Sequence, residues 1–172
     1  MSTTACTICN NPKANVSCRE CDSAVCKSCI EFVGDDVFEF DEYTEENSPV
    51  GHYCSTCYTT EIVPRLEVYN EIVERAKEVS VFSTEKGKES RLIKRTDVHL
   101  KIDECADKED LIMKLAYMAA KAGYNSIVDM DLVYTKVRDG SFKLANWSGT
   151  ATAANLNSRM PITNSSRRSP SR

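Results

Sequence analysis

Eight of the nine cysteines in this chain stand in Cys-x-x-Cys pairs. The two intervening residues let both sulfurs turn toward one ion, and a tetrahedral Zn²⁺ takes four thiolates. Four pairs therefore predict two closed structural sites and two Zn²⁺ ions per chain. The predicted ligands are the eight paired cysteines: Cys6, Cys9, Cys18, Cys21, Cys26, Cys29, Cys54 and Cys57.

Two other kinds of cysteine chemistry compete with the zinc interpretation. One Cys-x-x-Cys pair is equally compatible with a redox centre, but four pairs within 52 residues favour metal. Disulfides need an oxidising compartment, whereas the polar start Met1-Ser-Thr-Thr is unlike a secretory signal peptide. We therefore expect reduced thiols and a cytoplasmic location.

The spacing of the pairs limits how they combine into sites. Eight residues separate the first pair from the second, four separate the second from the third, and 24 separate the third from the fourth. The second and third pairs lie too close together to complete separate neighbouring sites comfortably. The spacing alone does not decide which pairs share an ion.

The order C-x2-C-x8-C-x2-C-x4-C-x2-C, followed later by C-x2-C, resembles FYVE and PHD zinc fingers over about the first 60 residues. The match is clearest around Cys18-Arg19 and at His52-Tyr-Cys-Ser-Thr-Cys-Tyr58. The resemblance implies an interleaved cross-brace, in which the first and third pairs share one zinc and the second and fourth pairs share the other. The implied ligand sets are Cys6, Cys9, Cys26 and Cys29 for one zinc, and Cys18, Cys21, Cys54 and Cys57 for the other.

Two further finger families resemble the same cysteines. Cys6-Thr-Ile-Cys9 is similar to the opening of RING fingers, which would make the protein a ubiquitin ligase. RING fingers, however, usually have a histidine in the second site and a shorter gap before the fifth ligand. B-box fingers share the first six ligands but then use histidines, and none occurs here before His52. Both families remain alternatives.

Charge decides which partners suit the finger. Residues 1–57 contain three Lys or Arg and ten Asp or Glu, and each four-thiolate zinc centre adds a formal charge of about −2. The basic run that lets FYVE fingers bind phosphoinositides is replaced by residues 14–19, where Cys18 and Arg19 alone match. Such a surface repels phosphates, which argues against nucleic acid and lipid head groups and favours a basic protein partner. A FYVE-type membrane adaptor remains an alternative.

An acidic, aromatic segment separates the third and fourth pairs. In residues 31–46, acids alternate with Val37, Phe38, Phe40 and Tyr43. Two interpretations stay open for this segment. Its aromatic side chains cover the zinc core while its acids face water, or the whole segment forms a surface for a basic partner.

Apolar residues with a period of 3.6 predict a linking helix over residues 61–79, with Thr60 as its cap and Pro64 in its first turn. Residues 83–90 are polar and predict a linker. The sequence then predicts, in order, a strand at 92–102, a helix at 108–122 capped by Asp107, a strand at 127–137, a turn at 138–141 around Gly140 and a strand at 142–153. The predicted fold class is α+β, with a β-α-β-β helix-on-sheet domain.

The predicted limits are 1–58 for the double zinc finger, 59–80 for the linking amphipathic helix, 81–154 for the α+β domain and 155–172 for a basic Ser/Arg tail. The tail contains four arginines and no acids, so we expect a disordered segment. It is a solvated extension, or an arm that is phosphorylated or docks on acidic surfaces.

The second domain resembles small bacterial YbjQ-type domains. The similarity covers Gly123, Asn125 and the segment Gly149-Thr-Ala151, whereas Tyr124 and Asp129 replace the usual Ala and Gly. The resemblance implies a ring-forming homo-oligomer, with a pentamer suggested, and a possible affinity for heavy metals. The linking helix is more apolar than one face needs, so it either braces another part of the same chain or contacts another copy. We also expect the 142–153 strand to leave an unpaired edge, which favours assembly.

No catalytic pattern stands out in the sequence. Phosphate-binding glycine loops, nucleophile elbows and H-E-x-x-H motifs are all missing, and Cys105 and His99 are isolated residues without an orienting partner. The sequence therefore predicts a non-enzymatic, zinc-binding protein–protein interaction module that an oligomerising α+β domain arrays in several copies.

Overall fold

The computed structural model describes residues 5–84, 93–139 and 142–156. The chain divides into two compact units, Met1–Glu74 and Arg75–Arg172, and each is described by itself. The mixed α+β class that the sequence predicts is confirmed. No helix in these described ranges is both long enough and apolar enough to cross a membrane.

The first unit is built from two small antiparallel sheets and a helix. Strand β1 (Val16–Ser17) pairs with β2 (Ala24–Val25), and β3 (Ile30–Val33) pairs with β4 (Gly51–Cys54). Strands this short form only a few ladder hydrogen bonds and are not stable alone. Their shared interior consists of cysteines and a few apolar residues: Cys6, Cys18, Val25, Cys26 and Cys54, with Ala14, Cys29, Ile30 and Cys57 against them.

The helix of this unit begins earlier than the sequence predicts. Helix α1 (Ser55–Cys57) continues through a π-helical turn (Tyr58–Ile62) into α2 (Val63–Lys77). The prediction that Thr60 caps the helix is wrong, because the Cys54 sulfur caps it by accepting the Cys57 N–H. Pro64 follows the wide turn, where the Val63 N–H bonds to the Tyr58 carbonyl and the hydrogen-bond register shifts.

The loop between β3 and β4 packs on this helix through its aromatic residues. Phe38 is 1% exposed and meets Tyr69 edge-on, with ring centroids 5.2 Å apart. The Arg65 guanidinium lies 5.3 Å above the Phe38 ring, and the Tyr69 hydroxyl accepts the Phe40 N–H at 3.3 Å. Most acids of the loop are exposed. The aromatic side chains thus anchor the loop on α2, while most of its negative charge faces water.

The second unit contains the predicted β-α-β-β order and one additional strand. Strand β6 (Arg95–Cys105), helix α3 (Lys108–Lys121), β7 (Ser126–Asp139) and β8 (Phe142–Ala154) are preceded by β5 (Ser80–Ser83). The sheet order is β5-β7-β8-β6, with β5 parallel to β7 and the other pairs antiparallel. The expected free edge on the 142–153 strand is wrong from Trp147 onward, where β8 pairs with both β7 and β6, whereas residues 142–146 pair with β7 alone.

Helix α3 packs closely on one face of this sheet. Asp107 caps the helix by accepting the N–H groups of Glu109 and Asp110, as its position predicts. A Cβ atom added at Gly149 would lie 3.2 Å from Leu111 Cδ2 and 2.8 Å from Leu132 Cδ2. The glycine therefore sets how near the helix approaches β8, and Leu111 is fully buried there.

The opposite face carries a smaller apolar cluster at the β5 end of the sheet, formed by Ile93, Val128 and Ala154 with Phe82 and Leu156 packed against them. Asn125 fastens the chain after β8 to this end. Its side-chain amide donates to the Leu156 carbonyl at 3.0 Å, and its side-chain oxygen accepts the Leu156 N–H at 2.7 Å.

Strand β7 changes register between Val128 and Asp131, and Asp129 has a φ of 52° at this irregularity. Its carboxylate forms a two-pronged ion pair with Arg95, in which Nη2 donates to Oδ1 at 2.8 Å. Aspartate tolerates the left-handed conformation better than most side chains. The pair therefore fixes an irregular backbone position to strand β6.

Several predicted features lie outside the described residues: most of the 83–90 linker, the start of the strand predicted from 92, the turn residues Gly140 and Ser141, and the tail from 157 onward. The predictions for these segments stay predictions.

Acid should weaken the contribution of Asp129 to stability. The hydrogen-bonded Arg95 guanidinium lowers the pKa of Asp129. A carboxylate with a lowered folded-state pKa stabilises the fold above its unfolded pKa of about 3.9, and that stabilisation is lost as the pH falls through the folded pKa. Wild type should therefore be more stable than Asp129→Asn at about pH 6, and the difference should shrink from about pH 5 to pH 2.

Urea unfolding followed by the fluorescence of Trp147, the single tryptophan of the chain, measures this difference in the second unit. The matched control is Asp131→Asn, which removes an exposed carboxylate from the same strand. A stability difference for Asp129→Asn that does not change with pH would contradict the ion-pair account.

Candidate metal centres

The eight paired cysteines form two clusters of four. Within each cluster, all sulfur atoms lie within 4.8 Å of one another. The first and third pairs meet in one cluster and the second and fourth in the other, which is the grouping that the cross-brace resemblance implies. The clusters are Cys6, Cys9, Cys26 and Cys29 (cluster 1) and Cys18, Cys21, Cys54 and Cys57 (cluster 2).

The first pair of each cluster lies in the same kind of turn. The Asn10 N–H donates to the Cys6 carbonyl at 2.8 Å, and the Asp22 N–H donates to the Cys18 carbonyl at 2.9 Å. Asn10 and Asp22 have φ values of 59° and 55°, a left-handed conformation that Asn and Asp tolerate. These two residues were not recognised from the sequence, although an Asx residue directly after a Cys-x-x-Cys pair is a readable signal.

The remaining pairs lie in other local structures. Cys26 and Cys29 form a turn after β2, in which the Cys29 N–H donates to the Cys26 carbonyl at 3.0 Å. Cys54 ends β4, and its sulfur accepts the Cys57 N–H at 3.4 Å at the start of the helix.

Backbone hydrogen bonds explain why the clusters interleave. The Thr7 N–H donates to the Ala24 carbonyl at 3.0 Å, which holds the first turn beside β2 and the Cys26 pair. The second turn is held on β4 instead. There the Arg19 N–H donates to the His52 carbonyl at 2.8 Å, and the Cys54 N–H donates to the Cys18 sulfur at 3.3 Å.

Arg19 reinforces the second arrangement with its side chain. The guanidinium donates to the carbonyls of Val50 at 2.7 Å and Glu45 at 3.2 Å. A Cβ atom at Gly51 would lie 2.9 Å from Arg19 Cδ, and Gly51 has a φ of 154°. The one arginine that matches the FYVE pattern is therefore engaged in holding the end of the acidic loop.

The dimensions of both clusters fit a tetrahedral metal ion. Sulfur separations are 3.6 Å for Cys9–Cys26 and 3.9 Å for Cys21–Cys54. Four thiolates at about 2.3 Å from Zn²⁺ lie about 3.8 Å apart, whereas a disulfide needs about 2.05 Å. All nine cysteines are free thiols. Four sulfurs fill a tetrahedron, so neither centre keeps an open position, and zinc and iron are the metals that suit the donor set.

Hydrogen bonds from backbone and hydroxyl groups lower the pKa of some cysteines in the clusters, and neighbouring sulfurs raise the pKa of others. Hydrogen bonds from the backbone N–H groups of Cys26 and Cys9 lower the pKa of Cys6 to about 6, and the Ser23 hydroxyl does the same for Cys21. Hydrogen bonding with the Cys9 and Cys26 sulfurs raises the pKa of Cys29 to about 12, and contact with Cys54 raises that of Cys57. A metal ion must displace the remaining protons, so its affinity should fall in acid.

The other candidate residues lie apart from these clusters. His52 is exposed and stacks on Phe32, with ring centroids 5.0 Å apart. Cys105 is buried and its N–H donates to Asn146 Oδ1, while His99 Nδ1 lies 3.3 Å from Thr152 Oγ1. Six residues along a strand span roughly 20 Å, so Cys105 and His99 are not a nucleophile–base pair.

Comparison with known proteins assigns no family. No family model, no curated protein and no solved structure matches the chain.

Removing the metal should unfold the first unit and spare the second. Structural zinc contributes about 10–16 kcal/mol in small fingers, which short strands and a small core cannot replace. We expect elemental analysis to give two metal ions per chain. A strong chelator should then abolish amide-exchange protection around β1–β4 without changing the fluorescence of Trp147. One ion per chain, or unchanged protection after its removal, would contradict two structural centres.

Paired substitutions should distinguish interleaved clusters from sequential ones. Cys6→Ser/Cys26→Ser removes two ligands from cluster 1 and should leave one metal ion per chain. Cys6→Ser/Cys18→Ser damages both clusters and should leave none firmly bound. If consecutive pairs shared an ion, the two results would be exchanged, so the metal content of these two variants decides between the arrangements.

Proposed function

We propose that the chain is a non-enzymatic zinc protein that binds partner proteins through its first unit and assembles into a homo-oligomer through its second. The observation that carries the proposal is the pair of closed four-cysteine clusters. A metal bound by four thiolates has no position for substrate or water, so its role is to hold the fold. The surfaces around the clusters are then the part of the unit that binds partners.

Zinc is the proposed metal, in a reducing cytoplasm. All cysteines are free, and four thiolates in a closed tetrahedron are typical of structural zinc sites. Iron suits the same donors. Elemental analysis of the purified protein distinguishes the two metals. Two iron ions per chain in place of zinc would contradict the zinc assignment.

The finger surface favours a basic protein partner. Its net balance of seven negative charges repels phosphate, and the Arg19 guanidinium is engaged by backbone carbonyls. Both observations argue against a phosphoinositide or nucleic-acid ligand, although the interleaved clusters resemble those of FYVE and PHD fingers. Selection of a random peptide library on the zinc-loaded full-length protein tests this, with enrichment of basic peptides expected. Loss of that enrichment in Cys18→Ser would assign it to the finger, whereas enrichment of acidic peptides would contradict the proposal.

A RING-like ubiquitin ligase is the second candidate. Ile8, between the first two ligands, is 43% exposed, and such a ligase needs an apolar contact there for its conjugating enzyme. A ubiquitin-transfer assay with a panel of conjugating enzymes tests it. Transfer that is lost in Ile8→Ala would favour the ligase over the non-enzymatic module.

The second unit carries features that favour assembly. Strand β6 pairs with β8 as far as Trp147, so the five β7–β8 pairs from Thr135↔Asn146 to Asp139↔Phe142 extend beyond it as a two-stranded ribbon. A ribbon of two strands is marginal in water by itself. Val133 and Tyr134, at its base, are 49% and 46% exposed. Contact with another copy would bury both the ribbon and these side chains.

The positions that resemble YbjQ-type domains have structural roles. Gly149 permits the close approach of α3, and Asn125 holds the chain after β8. Asp129, where that pattern has glycine, adopts a φ of 52°, which glycine adopts readily. These roles support a related fold and, with it, ring assembly. Apart from clusters 1 and 2, the described residues offer no group of three or more metal ligands, so a heavy-metal role finds no support there.

Shortening the ribbon should reduce assembly. Replacing residues 136–145 by Asn-Gly connects Thr135 to Asn146 through a two-residue hairpin turn and removes the unsupported pairs. In sedimentation experiments at about 20 µM, we expect wild type to have a mass above that of the monomer. We expect the shortened chain to contain fewer subunits per assembly, with unchanged Trp147 fluorescence. Cys18→Ser is the control that should assemble normally. A monomeric wild type would refute the oligomer, and with it the idea that arrayed fingers gain avidity.

A further inference from the structure

The finger exposes an aromatic ring beside its two small sheets. Phe32 on β3 is 62% exposed, more than any other large apolar side chain whose exposure the structure describes. It lies opposite His52 on β4, and the two rings are tilted by 47° with their centroids 5.0 Å apart. The histidine therefore supports one side of a ring whose remaining surface faces water.

A carboxylate lies close to this ring. A Cβ atom at Gly34 would be 2.5 Å from Asp36 Oδ1 and 3.6 Å from Phe32 Cε1, so these two atoms are no more than about 6 Å apart. The absence of a side chain at Gly34 leaves the space between them open. Asp36 is exposed, as is Asp35 beside it.

The segment that carries this ring is strongly negative. Residues 31–46 contain eight acids and no Lys or Arg. Of the basic side chains that contact this loop, Arg19 uses its guanidinium on the carbonyls of Val50 and Glu45, and Arg65 lies over the Phe38 ring. An apolar ring within a strongly negative field suits a ligand group that is both cationic and flat.

We infer that Phe32, His52 and Asp36 form a docking site for an arginine side chain of a basic protein segment. The guanidinium stacks on the Phe32 ring, whose face attracts cations, and pairs with the Asp36 carboxylate. Arginine fits better than lysine, because its planar group is less strongly hydrated and presents several donors at once. The inference rests on the proposed function, since it specifies where the basic partner binds.

The test measures the binding of labelled octapeptides to the zinc-loaded full-length protein by fluorescence anisotropy. The probe is Ala-Ala-Arg-Ala-Arg-Ala-Arg-Ala, and the control peptide has citrulline in place of arginine, which removes the charge and keeps the shape. We expect the arginine peptide to bind at least tenfold more tightly than the citrulline peptide. Phe32→Leu and Asp36→Asn should each weaken binding about three- to fivefold.

Two matched variants separate a specific site from general attraction. Glu46→Gln removes one exposed acid of the same loop, and Val68→Ala removes an apolar side chain that is 58% exposed on α2. Both should bind the arginine peptide within twofold of wild type, once their metal content is verified. Equal weakening by Glu46→Gln and Asp36→Asn, with no effect of Phe32→Leu, would overturn the site but leave a basic partner in place.

Two other results would overturn the docking site. If wild type binds the arginine and citrulline peptides equally, the basic-partner function fails and the docking site fails with it. If wild type sediments with phosphatidylcholine vesicles and Phe32→Leu does not, the ring inserts into membranes, and the arginine site is overturned.

Discussion

The grouping of cysteine pairs that are distant in sequence into two four-cysteine clusters is the constraint on which the first unit depends. Its sheets have strands of two to four residues, and its interior is composed largely of cysteines. Short strands and so small a core cannot offset the entropy of ordering such a chain. A metal ion bound in each interleaved cluster would supply the missing stabilisation and tie together segments from Cys6 to Cys57.

This constraint also determines what the unit presents to a partner. The acidic loop is bounded by cysteines of the two clusters, with Cys29 before it and Cys54 after it, and Phe38 anchors its middle on α2. Phe32 and Asp36 lie exposed on this loop. Because Cys54 belongs to cluster 2 and also caps the helix, metal binding at that cluster would also position the start of the helix. Loss of metal would thus remove the partner surface and the helix start together.

Features governed by local chemistry could be predicted from the sequence, and those governed by tertiary pairing could not. Asp107 predicts the start of α3 because its carboxylate bonds to adjacent backbone groups, and alternating residues predict β6. Strand β5 has four residues and exists through its parallel pairing with β7, which no local pattern encodes. Thr60 fits the common preference for a hydroxyl at a helix cap, but the Cys54 sulfur of cluster 2 takes that role.

The grouping of cysteines is the central claim, and ¹¹³Cd NMR tests it most directly. Cadmium replaces zinc in thiolate sites, and each ¹¹³Cd nucleus couples through its bonds to the β protons of the cysteines that bind it. We predict two cadmium resonances, one correlated with Cys6, Cys9, Cys26 and Cys29, and the other with Cys18, Cys21, Cys54 and Cys57. A resonance correlated with both Cys9 and Cys18, or a single bound ion, would contradict the interleaved account.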